Sequence, residues 1–354
     1  MKVLLRLGLT IVLLSLLTAF SYKAQKFELT EKNICIQYPS YFPKPVQPLL
    51  NKSTDQFSPL GVFKLGKKMF YDDRLSRDHS VSCASCHQQI AAFAHSDHKL
   101  SHGIYGKIGT RNIPTLQNLA FKKEFMADGG IHNLKLQALA PLISSIEMDQ
   151  DLPGLLKKIN ADSSYRKMFS EAFKRPKESK INTEELLLAI QKFVVSLGSY
   201  RSKYDDVRQN KKEFSTQQAR GYELVKKHCS SCHEEPLFSN LEVMSNGLGE
   251  DSLLLDKGRF LITQDSGDLF KFQVPSLRNE EMSYPYMHDG RLRKLKEVVE
   301  YYVGKERQFS KGTDVRVLGL PILNMGDKKA IIEFLKTLTD YRFLRDRRFA
   351  ESRE

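Results

Sequence analysis

Tryptophan is absent from the 354 residues, and cysteine is scarce at five. The first absence excludes any role that needs an indole. The second argues against a disulfide framework, because four of the five thiols fall into two short motifs and only Cys35 is left over. Cys35 reads as a small buried hydrophobe or a free thiol. Long hydrophobic runs are missing as well: the apolar stretch from Leu7 to Phe20 is short for a ~20-residue membrane span. There is no sustained strand alternation and no low-complexity tract, which turns the reading toward a helical globular protein.

The two cysteine motifs are Cys83-Ala-Ser-Cys86-His87 and Cys229-Ser-Ser-Cys232-His233. C-x-x-C-H is the pattern of covalent c-type haem attachment. Two thiols a few residues apart form thioethers to the haem vinyl groups, and the adjacent imidazole supplies the proximal iron ligand. A zinc ribbon also pairs C-x-x-C units, but normally ~15–20 residues apart and without an attached histidine. A thioredoxin-like redox pair needs one such motif in a βαβ setting, which neither location offers. Two haem c groups are therefore expected, with His87 and His233 as iron ligands.

Residues 1–21 combine Lys2 and Arg6, the apolar run and a small-x-small site at Ala19-Phe20-Ser21, the features of a secretory signal peptide. Haem c attachment takes place outside the cytoplasm, so both features point to a periplasmic location, an uncleaved membrane anchor being the alternative. The formal charge of +13 falls to roughly +11 without the leader's two cations and about +7 after four haem propionates. An acidic redox partner suits that balance. Nucleic acid does not, since no reading motif accompanies the charge.

About 330 mature residues exceed one core, and the motifs divide them into two haem domains. The expected class is mainly α, with two cytochrome c-like haem domains, long ordered loops and few short strands. The expected boundaries are an extended N-terminal segment at 22–57, a first haem domain at 58–210, a second at 211–345 and a charged tail at 346–354. Prolines between Gln37 and Pro59 forbid a regular helix there. Thr183 opens a capped amphipathic helix continuing toward Tyr204, a candidate connection between the domains. Further helices are expected at Thr216–His228, Leu295–Val303 and Asp327–Leu338, with short strands near 260–262 and 270–272.

Beyond the haem motifs, Leu65-Gly66-Lys67-Lys68-Met69-Phe70, Gly109-Thr110-Arg111-Asn112-Ile113-Pro114-Thr115-Leu116, Asp128-Gly129-Gly130, Val274-Pro275-Ser276-Leu277-Arg278-Asn279 and Pro285-Tyr286-Met287-His288-Asp289-Gly290 follow in order. In these segments the chain resembles the bacterial dihaem cytochrome c peroxidases and their MauG relatives over nearly its mature length. The resemblance implies that hydrogen peroxide reacts at the first haem. The second haem then relays electrons from a small cytochrome c or copper protein. It places Gln137 and Glu147 at the family's distal glutamine and glutamate. Glu147 would move a proton between the peroxide oxygens and Gln137 would orient peroxide or water.

Three departures matter. Many members close the first iron with a histidine in the loop after Gly103; here Ile104 stands there, and His102, His95 and His98 lie nearby as lesser candidates. The second haem's distal Met is replaced by Tyr302, as in the MauG branch, with Met325 and Met287 competing. A phenolate is a hard ligand that lowers the potential. The family's Trp-Asp-Gly segment reads Ala127-Asp128-Gly129, so an inter-haem relay must use Phe125, a tyrosine or no side chain. The resemblance also implies one Ca²⁺ held by Asn112 and carbonyls of Ser283 and Pro285. Arg111, Arg259 and Arg278 are candidates for haem propionates. A homodimer is common among members. The expected activity is peroxide reduction, the alternatives being a MauG-like oxidase of protein side chains and a non-catalytic dihaem carrier or sensor.

Overall fold

The computed structural model describes residues 27–50 and 55–352; the expected leader at 1–21 lies outside the described residues. Residues 27–30 lack regular structure, and from Glu31 onward the chain forms one compact unit. That unit is mainly helical, as expected. Glu31–Ile34 (α1) is a single turn. The stretch 37–50 then runs without a helix, yet it is well packed. Ile36, Phe42 and Leu50 are buried, and the Tyr38 ring meets Phe121 at 4.7 Å and Tyr200 at 5.1 Å.

Pro59–Tyr71 (α2) starts where the prolines end. Ser58 accepts a bond from the Gly61 N–H at 3.2 Å, and Pro59 sits in the first turn, where a missing N–H costs nothing. Cys83–Cys86 (α3), Leu134–Gln137 (α4), Leu139–Ile143 (α5), Leu152–Ala161 (α6) and Ser163–Phe173 (α7) lead to Thr183–Val195 (α8). Helices α2 and α8 cross at Gly66, where a Cβ would overlap the Ala189 carbonyl and stand 2.9 Å from the Phe193 Cβ. Phe63, Phe70 and Phe193 form the core around that crossing.

Helix α8 does not continue toward Tyr204. The backbone groups that would extend it are taken by distant partners: Ser199 exchanges two bonds with the Asn118 side chain, and the Tyr200 and Arg201 N–H groups donate to Asp340. Tertiary bonds override propensity here. A separate helix, Lys203–Arg208 (α9), follows behind its own Ser202 capping box.

The second half repeats the first. Thr216–His228 (α10) and Met325–Lys336 (α14) cross at Gly221, where a Cβ would overlap the Ala330 carbonyl and stand 2.8 Å from the Phe334 Cβ. Between them lie Val243–Met244 (β1), Phe260–Thr263 (α11), Phe272–Gln273 (β2), Leu295–Val303 (α12) and Val315–Leu318 (α13); Tyr341–Leu344 (α15) follows. Strands β1 and β2 pair antiparallel, Val243 opposite Gln273 and Met244 opposite Phe272. The strand expected near 260–262 is instead helical. A short apolar run does not distinguish the two, and Leu261 and Ile262 are exposed rather than paired. The expected tail does not trail away: Phe349 is buried against Phe63, Phe93 and Phe343.

Candidate functional site

The first cysteine motif is a single helical turn, closed by a reciprocal Ser82–Ser85 capping box. The His87 N–H donates to the Cys83 carbonyl at 2.8 Å, which fixes the imidazole just past the turn. Its Nδ1 lies 2.7 Å from the Phe93 carbonyl. A carbonyl only accepts, so Nδ1 carries the proton and Nε2 keeps its lone pair for a metal. Burial depresses the ring to about 4, so it is neutral. Burial also pushes the Cys83 thiol up to about 12 and Cys86 up to about 11.

The second motif repeats this arrangement at the end of α10. The His233 N–H donates to the Cys229 carbonyl at 2.8 Å, and Nδ1 is shared between the carbonyls of Phe238 at 3.1 Å and Pro275 at 3.2 Å. Burial pushes the Cys229 thiol up to about 12 and lowers the His233 ring. Two thiols and one neutral imidazole with a free Nε2, built twice, suit covalently attached haem c.

Close to the first motif, where the His102 carbonyl lies 3.5 Å from the Cys86 sulfur, Gly103 packs so tightly that a Cβ would overlap the Ile146 carbonyl and stand 2.6 Å from the Glu147 Cα. The Ile104 N–H donates to the Glu147 carbonyl at 2.8 Å, and the Ile104 side chain is fully buried. The loop from Ser101 to Gly109 is thus closed onto the turn that carries Glu147. Burial raises the Glu147 carboxyl, a Ser144 bond opposing it, and the carboxyl acts electrostatically on both Cys83 and Cys86. Gln137 ends α4, with its amide 3.9 Å from the Met126 sulfur. His95, His98 and His102 form a chain of rings with centroids 5.0 and 4.2 Å apart, His98 being exposed.

Beside the second motif, Tyr302 on α12 packs against both clusters that receive the haem cysteines, one with Cys229 and one with Cys232. Burial pushes its phenol up to about 12. The Asn246 amide donates to the Tyr302 hydroxyl oxygen at 3.2 Å and also lies 3.5 Å from the Met287 sulfur. Met325 is 64% exposed at the start of α14. Sequence reasoning missed Asn246; its only local signal is the Asn246-Gly247 turn dipeptide.

The remaining candidates hold the halves together. Arg111 bonds Asp256 at 2.6 and 2.9 Å and Asp128 at 2.5 Å. Arg259 bonds Glu124 at 3.1 Å. Arg278, with no exposure, donates twice to Asp205 at 2.9 Å and once to the Pro236 carbonyl at 2.7 Å. The Asn112 side chain meets the Pro285 carbonyl at 2.5 Å, and Ser283 is buried nearby in sequence. The Ala127 carbonyl accepts from the Gln273 N–H at 2.8 Å, while the Phe272 ring stacks on His288 with centroids 4.0 Å apart. Phe125 is buried.

Residues 61–213 match the model of the di-haem cytochrome c peroxidase family. A cytochrome-c peroxidase IdrP2 of Denitromonas iodatirespirans is 30% identical over 309 residues, 78% of this chain and 81% of its own length. The methylamine utilization protein MauG of Methylorubrum extorquens is 30% identical over 77% of each chain. A solved MauG-like protein associated with microbial copper homeostasis superposes with a TM-score of 0.76 at 29% identity, over 88% of this chain and 97% of its own. The chain belongs to the di-haem cytochrome c peroxidase family.

Proposed function

We propose that this chain is a dihaem c-type peroxidase that reduces hydrogen peroxide to water, taking two electrons and two protons per peroxide. The observation that carries this reading is the Cys/Cys/His set built twice, each histidine with Nδ1 pinned to a carbonyl and Nε2 free. In this reading residues 58–210 form the peroxidatic haem domain and 211–345 the electron-transfer domain. The electrons come from a small cytochrome c or copper protein. Haem attachment supports a periplasmic location, and among the described residues no helix is long and apolar enough to cross a membrane.

Haem bound at Cys83, Cys86 and His87 supplies an iron position for peroxide and a store of electrons. The chain's own residues do the proton work. A carboxyl held above its usual range by burial is suited to take a proton from one peroxide oxygen and return it to the other, which is the task assigned to Glu147. Gln137 orients peroxide or water beside it. Ile104 offers no atom that can occupy the iron, so the site needs no ligand release. Tyr302 would supply an oxygen ligand to the second haem's iron, a role supported by its packing beside Cys229 and Cys232. Asn112 with the Pro285 and Ser283 carbonyls would hold Ca²⁺ once the Asn112 amide, which here donates to the Pro285 carbonyl and accepts the Ile113 N–H, turned its oxygen to the ion. Arg111 and Arg259 would reach propionates only by leaving the carboxylates they bond here, Asp256 and Asp128 for Arg111 and Glu124 for Arg259.

Glu147→Gln is the direct test. It should abolish peroxide turnover, a fall of about 10²–10⁴-fold for a lost acid–base group, while leaving the haem spectra of both sites intact. Unchanged turnover would overturn the assignment. A MauG-like oxidation of protein side chains is the second reading, favoured by Tyr302 and Ile104 and disfavoured by Ala127.

A further inference from the structure

Asn246 is tied on three sides. Its Oδ1 accepts the Leu248 N–H at 3.2 Å, its carbonyl accepts the Tyr301 hydroxyl at 3.1 Å, and Gly247 follows in the left-handed region at φ +85°. These bonds fix which face of the amide is the donor face, and that face is turned to two side chains at once. One is the Tyr302 hydroxyl oxygen at 3.2 Å; the other is the Met287 sulfur at 3.5 Å. Met287 is itself held in the left-handed region at φ +74°, inside a loop closed by the Tyr286–Leu292 bridge. A non-glycine residue kept there by its surroundings is a recurrent mark of a functional site.

The two acceptors are unequal. A hydrogen bond to an anionic oxygen is about twice as strong as a neutral one, whereas a thioether sulfur accepts only weakly. The same amide therefore favours the oxygen as an iron ligand and does little for the sulfur.

Resting on the reading of Tyr302 as the second haem's ligand, we propose that Asn246 is the positioning residue that selects the Tyr302 oxygen over the Met287 sulfur. Without its N–H, the phenol oxygen loses its fixed partner and Met287 stands next to the vacated position. One iron–oxygen bond is exchanged for one iron–sulfur bond, with no electron gained or lost and the phenolate taking a proton from water. Because thioether ligation raises the potential that phenolate lowers, the exchange is visible apart from catalysis.

The test uses ferric holoprotein carrying Asn246→Leu, and Asn246→Asp, which keeps the size and the Leu248 bond but removes the donor. Both should lose the phenolate-to-iron absorption, gain the weak thioether-to-iron band at the red end of the visible spectrum, and shift the second haem's potential upward. Adding Met287→Leu should abolish the new band. Retention of the phenolate spectrum and potential in both single variants would overturn the proposal while leaving Tyr302 as ligand. Loss of the phenolate signal with no thioether band would also overturn it. If Tyr302→Phe leaves the wild-type spectrum unchanged, the reading of Tyr302 itself fails and the selection with it.

Discussion

Gly221 of α10 lies directly on the Ala330 carbonyl of α14, with no room for even a methyl group between the two helices. Gly66 of α2 bears the same relation to Ala189 of α8, and in each case a phenylalanine one turn further on, Phe334 or Phe193, fills the crossing. The helix pair that frames each haem motif is thus built on one contact, made twice. Gly221→Ala and Gly66→Ala should each destabilise the protein by about 1–3 kcal/mol, the usual cost of forcing a methyl into a packed interior. A drop in the thermal midpoint with unchanged helix content by circular dichroism is the expected result. No drop would mean that the helices separate without cost.

Arg278 and Asp205 are both wholly buried; Arg278 donates two bonds to Asp205 at 2.9 Å, and Asp205 also accepts from the Tyr41 and Ser202 hydroxyls and the Ser202 N–H. Burial alone would raise the Asp205 carboxyl; the Arg278 guanidinium and the Ser202 bonds outweigh it, so the carboxyl lies below the usual range. A depressed folded value gives stability that is complete above the unfolded value of ~3.9 and is lost as pH falls through the folded value. Asp205→Asn leaves a buried guanidinium without its counter-charge, so it should cost about 3–5 kcal/mol at neutral pH. The loss relative to wild type should shrink as pH falls below about 4, where the carboxyl of the unfolded wild-type chain takes up a proton while the folded one is still charged. A constant difference across that range in denaturant titrations would contradict this account.

The haem motifs were legible because their chemistry is local: thiols, imidazole and the carbonyls that orient them lie within a few residues, apart from Pro275. Helices Thr216–His228 and Leu295–Val303 were equally legible, since their apolar spacing is written in the segment. The last long helix starts two residues before expectation, because Asn324 rather than a later residue caps it. What could not be read is long-range. The end of α8 is decided by Asn118 and Asp340, the burial of Phe349 by Phe63 and Phe343, and the grip of Asn246 on Tyr302 by a turn remote in sequence. Arg278 read as a propionate partner from its motif alone; its donors meet Asp205 and Pro236 instead, contacts that no local pattern announces.

Glu147 gives a prediction in pH. Burial holds its carboxyl above the usual ~4.3, and a Ser144 bond pulls the other way. A base works only when ionised, so turnover should fall on the acid side at a pH above that of an ordinary glutamate. Ser144→Ala removes the lowering bond and should move that acid limb to still higher pH without loss of the maximal rate. An acid limb that stays in place when Ser144 is replaced would assign it to another group.

Ile104 gives the last prediction. Its side chain is fully buried and its N–H is spent on the Glu147 carbonyl, so the loop that could bring a ligand over the first haem is instead locked onto the turn that carries Glu147. Gly103 leaves no slack for that loop to shift, since any side chain there would strike Ile146 and Glu147. The fully ferric holoprotein, free of reductant, should therefore change its Soret absorption on mixing with hydrogen peroxide in a stopped-flow instrument. Ile104→His should suppress the change until one electron is supplied, because an imidazole at this position can occupy the iron. If the wild-type protein stays silent until reduced, a ligand already covers the first haem. His102 is then the first residue to replace, its carbonyl lying 3.5 Å from the Cys86 sulfur. Recovery of the ferric reaction in His102→Ala would identify it.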